Sequence, residues 1–160
     1  MSAILAMTDV LPAKASTEWT EPLTLSVPKG TWTVIRTTPE RSHGLARVLT
    51  GSVDITTGEL AVLGRPIGRV SRNERRLLLS EMGVLLDHPG LLSNLTLIDN
   101  LIVPAVFRGS KGISLPRDQA AAVFAELGIT EYADRRPADV PEDVRQLGAL
   151  GRALVGKPRL

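Results

Sequence analysis

Along the first third of the chain, apolar residues gather in short alternating blocks; further on they recur at helical spacing. Residues 3–7 (AILAM) and 23–27 (LTLSV) predict strands. Pro28-Lys29-Gly30 makes a turn into Thr31-Trp32-Thr33-Val34-Ile35, whose β-branched residues predict a third. Gly44 to Leu49 reads as a short helix, Asp54 to Gly58 as a turn, and Glu59 to Leu63 as a short strand closed by Gly64-Arg65-Pro66. Ser71-Arg72-Asn73-Glu74 has the form of a capping box and opens a basic helix through Arg76. Met82 to Leu86 is a short apolar run and predicts a buried strand. After the loop His88–Asn94, Thr96-Leu97-Ile98-Asp99 starts another helix. Pro116 and Gly128 bracket a helix with Ala120, Phe124 and Leu127 on one face. Pro141, Glu142 and Asp143 open the last helix, which turns Val144, Leu147 and Leu154 inward and ends near Gly156. Lys157-Pro158-Arg159-Leu160 reads as the lead-in to a further strand. Strands alternating with helices predict an α/β fold.

Composition narrows the function classes. With 160 residues, 43% of them hydrophobic, the chain can build one compact domain. Its five aromatic residues are too few to fill a core, which must come from Leu, Val, Ile and Ala. A net charge of +2, spread along the chain, predicts no nucleic-acid partner. The absence of cysteine excludes disulfides, thiol catalysis and cysteine-ligated metals. His43 and His88 lie far apart, so no metal site is expected. No apolar run reaches the roughly 18 residues that span a bilayer, and the start MSAILAMTDV lacks the regions of a secretory signal. A cytoplasmic protein is expected.

Four blocks then carry a resemblance. LTLSVPKGTWTVI, TGSVDITTGELAVLGRPI, MGVLLDHPGLLSNLTLIDNLIVPAVFRG and RQLGALGRALVGKPRL resemble, in order and spacing, the ATP-binding subunits of ABC transporters. The resemblance covers nearly the whole chain, most clearly from residue 23 onward. It implies a P-loop NTPase-like α/β cassette core with an antiparallel β subdomain and a helical subdomain, here roughly 88–145, that touches the membrane permease. It implies ATP and magnesium as the family's cofactors.

The positions that would carry the chemistry depart from the family. A strand like Thr31–Ile35 leads in the family to the phosphate loop GxxxxGK[ST], whose amides cradle phosphates and whose lysine neutralises them. Counted back from Gly51 without gaps, this loop is Arg36-Thr37-Thr38-Pro39-Glu40-Arg41-Ser42-His43. Arg36 and Arg41 replace its framing glycines, and Pro39 brings no amide donor. Ser42 takes the lysine position, His43 that of the magnesium-binding hydroxyl, and Glu40 adds a negative charge. A lost hydrogen bond to a charged partner is worth about 1.5–3 kcal/mol. The loop therefore reads as an ordinary polar strand-to-helix connection. The alternative is a rewired anion site using Arg36, Arg41 and the helix start at Gly44.

Asp87 stands at the family's glutamine-loop position, where it reads as a surface turn or, alternatively, a metal contact. The signature motif LSGGQ corresponds to Val140-Pro141-Glu142-Asp143-Val144, and its two acids would repel a phosphate. Trp19 is the one candidate for the aromatic that stacks on the nucleotide, displaced by several residues. No catalytic residue, no metal ligand and no bound cofactor is expected.

The sequence stops at Leu160, where the resemblance places the strand with the Walker B aspartate and catalytic glutamate. The expectation is a single partial cassette domain, 1–160, with an incomplete parallel sheet and a central strand left unpaired. That strand, together with Gly148 and Gly151 inside the last helix, each costing around 1 kcal/mol relative to alanine, suggests relaxed sequence requirements in this half, a missing partner segment or an open reading frame cut short. Three functions are consistent with this reading. The leading one is a non-catalytic cassette subunit, inactive alone, that docks through residues 88–108 on an ABC permease or a catalytic ABC subunit; it would sit in the cytoplasm or at the inner face of the membrane. The second is a split ABC ATPase completed by a partner chain. The third is a free-standing protein-binding module using the basic run Arg69–Arg76.

Overall fold

Alternation of Leu5, Met7 and Val10 with more exposed residues makes β1 (Ala3–Pro12) the inner strand of a sheet. The computed structural model describes residues 3–13, 19–67, 71–108 and 116–160, and its contacts divide the chain into two compact units, Met1–Leu79 and Ser80–Leu160. In the first unit β1 pairs antiparallel with β2 (Leu23–Pro28) and with β3 (Ile55–Val62). Strand β3 turns through Leu63 and Gly64 into β4 (Arg65–Pro66), giving the order β2-β1-β3-β4. Leu5 lies opposite Val27 and Val62, and Met7 opposite Leu60, so one face collects the buried side chains. The first strand is thus longer than residues 3–7, and the third already begins inside the predicted turn 54–58.

A register shift follows Thr8, where Asp9 takes φ 48°. Opposite it, Gly58 has φ 82°, and a Cβ there would lie 2.3 Å from the Asp9 carbonyl oxygen, so only glycine fits. The first unit also holds α1 (Pro39–Leu49), with Val48 buried, and most of α2 (Arg72–Ser80), with Leu78 buried. The capping box forms: the Glu74 amide donates to Ser71 Oγ at 3.3 Å and the Ser71 amide to Glu74 Oε2 at 2.8 Å. Helix α2 runs past Arg76 to Ser80 because Leu77, Leu78 and Leu79 continue it. Arg69 and Val70, at the start of the predicted basic run, lie outside the described residues.

The second unit packs α3 (Leu97–Arg108), α4 (Arg117–Glu126) and α5 (Glu142–Leu154) around one core. Leu97, Ile98 and Leu101 meet Ala120, Phe124, Ile129, Val140, Val144 and Val155 there. Thr96 caps α3, accepting from the Asp99 amide at 3.2 Å, while the Leu97 and Ile98 amides donate to the Arg135 and Ala133 carbonyls. Gly128, at φ 69°, follows α4 as expected.

Several expectations are corrected. Thr31–Ile35 enters no sheet; it has no regular structure and is exposed, with Trp32 fully exposed and Val34 86% exposed. Met82–Leu86 is likewise no strand, and Val84, Leu85 and Leu86 face solvent. Both segments have strand composition, but a strand needs a neighbour, and the described residues form only the antiparallel sheet. Residues 157–160 form no strand either, although the Arg159 amide donates to the Glu81 carbonyl and the Gly83 amide to that of Leu160. Helix α1 begins at Pro39 rather than Gly44, because Thr38 and Pro39 supply an N-cap and a first-turn proline. Leu154 is 45% exposed at the end of α5 instead of inward. Gly148 is buried beside Leu97 and Leu91 at ordinary contact distances, whereas Gly151 is crowded by Leu101, Leu127 and Val123, so packing, not slack, accounts for Gly151.

Candidate functional site

The phosphate-loop positions fall in the first unit. Gly30, at φ 77°, and the Thr31 hydroxyl, donating to the Pro28 carbonyl at 2.8 Å, close the turn before the exposed segment. From Trp32 to Thr37 no hydrogen bond is made among the described residues. Thr38 then caps α1: its side chain accepts from the Arg41 amide at 3.4 Å, and its carbonyl from the Ser42 amide at 3.0 Å. Pro39 has no amide hydrogen, and Glu40 puts a carboxylate in the first turn. The amides at the start of α1 are therefore absent, engaged by Thr38, or beside an acid. Gly44 lies inside the helix and does not begin it.

The structure does gather part of the predicted set. Trp19, Glu21, Pro22, Leu23, Ile35, Arg36, Thr37, Arg41 and Leu45 line a cavity of about 220 Å³. Trp19 is buried there, and the Arg36 and Arg41 side chains join it. Ser42, His43 and Pro39 are exposed and do not line the cavity. Glu21 contributes a carboxylate to the lining that the sequence reading did not single out.

The other positions fall in the second unit. The Asp87 carbonyl accepts from Gln146 Nε2 at 3.4 Å. Val140 and Val144 are buried in the core, and Pro141 is the N-cap residue of α5. Glu142 accepts from Arg145 Nε at 2.8 Å and from Gln146 Nε2 at 3.2 Å; the Arg145 guanidinium holds its carboxyl below the ordinary range. Asp143 Oδ1 accepts from the Val144 amide at 3.0 Å. Both acids are thus engaged within the first turn of their own helix, where negative charge suits the macrodipole. Among the described residues no cluster of three acids or histidines has metal-site geometry.

The loop before α3 is held by side chains from two helices. Leu91 packs against the core and Leu95 is half-buried, whereas Leu92 is 46% exposed. Asn100, only 1% exposed, accepts from the Leu92 amide at 2.7 Å and donates to the Leu92 and Thr96 carbonyls at 3.1 and 2.9 Å. Arg152 donates to the Gly90 and Pro89 carbonyls at 2.7 and 2.8 Å. Burial lowers the pKa of this guanidinium, which nonetheless stays charged. The sequence reading missed Asn100 and Arg152. An amide side chain between Leu97 and Leu101 on an apolar face was the available signal.

An antiparallel sheet with α1 in one unit and a three-helix unit following it in sequence match the fold of solved ATP-binding cassettes. The dimeric ABC transporter cassette MJ0796 superposes with a TM-score of 0.79 at 18% identity, covering 96% of this chain and 70% of that one. CbiO1 from Clostridium perfringens, part of the ABC transporter complex cbiONQ, gives a TM-score of 0.75 at 17% identity, covering 99% and 63%. In sequence the chain is 32% identical over 112 residues to the lipoprotein-releasing system ATP-binding protein LolD of Xanthomonas campestris, covering 69% of this chain and 46% of the relative. It is 28% identical over 134 residues to the methionine import ATP-binding protein MetN of Bradyrhizobium diazoefficiens, covering 83% and 38%. The ABC transporter ATP-binding protein YbbA of Escherichia coli K12 is 29% identical over 115 residues, covering 71% and 50%. No protein-family model matches the chain. Its homologues are thus ABC transporter ATP-binding proteins, and the chain spans about half or less of the length of these curated relatives.

Proposed function

We propose that this chain is a cassette subunit that hydrolyses no ATP by itself and acts by docking on the permease of an ABC transporter, at the cytoplasmic face of the membrane. The start of α1 carries the first half of this reading. A phosphate cradle needs several backbone amides converging on one point. Here Pro39 offers none, Thr38 engages those of Arg41 and Ser42, and Glu40 opposes an anion. Arg36 and Arg41 bring charge to the neighbouring cavity but replace none of those amides. The residues present do not fit a magnesium–triphosphate group.

The well-held loop before α3, inside the docking segment 88–108, supports the second half. Among the described residues no helix is long and apolar enough to cross a membrane. Nucleotide-dependent thermal shift tests the first half: a ligand at a hundred times its dissociation constant stabilises by about 2.7 kcal/mol. The expected result is no shift at millimolar ATP and magnesium, and a clear magnesium-dependent shift refutes the claim. Co-purification with the permease encoded nearby tests the second half, with capture expected for the wild type and lost in Leu92→Asp. A folded wild type that captures nothing, or a folded variant that captures equally well, refutes docking.

One observation favours a second reading, a split ATPase completed by another chain. The exposed segment Trp32–Thr37, unpaired among the described residues, has the composition of a strand awaiting a neighbour. Phosphate release by a mixture with that second chain, above either alone, would select this reading.

A further inference from the structure

We infer that Asn100 and Arg152 are positioning residues that hold the loop Pro89–Leu92 in one conformation, so that Leu92 is presented ready-formed to the permease. The inference rests on the docking reading above and names the side chains that prepare its contact surface. Asn100 is the one buried polar residue among those described, and its carboxamide meets both backbone groups of Leu92. Leu92 is thereby pinned as it would be beside a strand, with its main chain satisfied and its side chain left 46% exposed. The remaining Asn100 hydrogen bond, to the Thr96 carbonyl at 2.9 Å, ties the same amide to the start of α3.

Arg152 reaches the loop from α5. Its two terminal nitrogens take the carbonyls of consecutive residues, Pro89 and Gly90, a planar fork that a lysine cannot reproduce. Gly90, at φ 56°, provides the left-handed turn that places those carbonyls side by side. Two side chains from two helices thus hold three of the four residues Pro89–Leu92, which use no regular secondary structure. Such cross-bracing reduces the ordering cost of binding, since a partner meets the loop already in place.

The test uses the whole chain with Asn100→Ala, Asn100→Asp and Arg152→Lys variants, read by amide exchange and by capture on permease-containing membranes. Wild-type Leu92 is expected to show a protected amide. Asn100→Ala should accelerate that exchange at least tenfold while the α4 core amides stay protected. Asn100→Asp, which accepts from the Leu92 amide but cannot donate to its carbonyl, should fall between. Arg152→Lys should leave the unfolding midpoint near wild type and weaken capture. A loop ordered a tenth of the time binds about tenfold more weakly. Unchanged exchange in both Asn100 variants overturns the positioning role by itself. Accelerated exchange with undiminished capture overturns the link between this loop and docking. A wild-type chain that captures no permease overturns the docking reading and this inference together, even where the Leu92 amide is protected.

Discussion

Replacing Gly148 and Gly151 separates two explanations for glycine in the middle of α5. In a helix interior Gly→Ala is worth about 1 kcal/mol in favour of alanine, from backbone entropy alone. At position 148 the new Cβ would meet Leu97 Cδ2 at 3.4 Å and Leu91 Cδ1 at 3.7 Å, ordinary contact distances. Gly148→Ala is therefore expected to stabilise the protein by about 0.5–1 kcal/mol. At position 151 three side chains crowd the site at once, Leu101 and Leu127 at 3.3 Å and Val123 at 3.4 Å. Shifting them costs about 1 kcal/mol, the lower end of overpacking, so Gly151→Ala is expected near zero and Gly151→Leu well below wild type. Urea unfolding at constant slope reads the order: with a slope near 1.5 kcal/mol/M, 1 kcal/mol moves the midpoint by roughly 0.7 M. If Gly151→Leu is as stable as Gly148→Ala, packing does not account for these glycines, and relaxed sequence requirements do.

Two further predictions follow from the sites. Ser42→Lys alone is expected to restore no phosphate release above a mock purification, because the residue stands in a capped helical turn and the other altered positions act in series with it. Steady release by the single variant would refute this. The Glu74 and Glu142 carboxyls, lowered by the Ser71 amide and by Arg145, titrate below the ordinary glutamate value when folded. Their contribution to α2 and α5 is thus present above that value and fades as pH falls through the folded pKa. Glu74→Ala should flatten this acid dependence, measured as helicity between pH 5 and about pH 2.

What was legible in the sequence was what neighbouring residues decide. Ser71 and Glu74 lie three apart and cap one helix turn; Ala120 and Phe124 are four apart on one face. Thr38-Pro39 also announced a helix start, but aligning the segment with a phosphate loop hid it. Strand pairing was not legible, because Thr31–Ile35 has strand composition whether or not a neighbour exists. The cavity that joins Trp19 to Arg36 and Arg41 depends on contacts across a sequence gap that no local pattern encodes. Asn100 could be marked by its place between Leu97 and Leu101 on an apolar face, but its partner, Leu92, eight residues back across a loop, could not.

The exposed segment Thr31–Ile35 also bears on the life of the molecule in a cell. Fully exposed Trp32 and largely exposed Val34, on a backbone unpaired among the described residues, form the kind of surface that chaperones hold and proteases sample. Molecules that leave this stretch uncovered are expected to be cleared faster than molecules that bury it. The steady-state amount of the protein would then follow the supply of whatever covers the segment, rather than its own rate of synthesis.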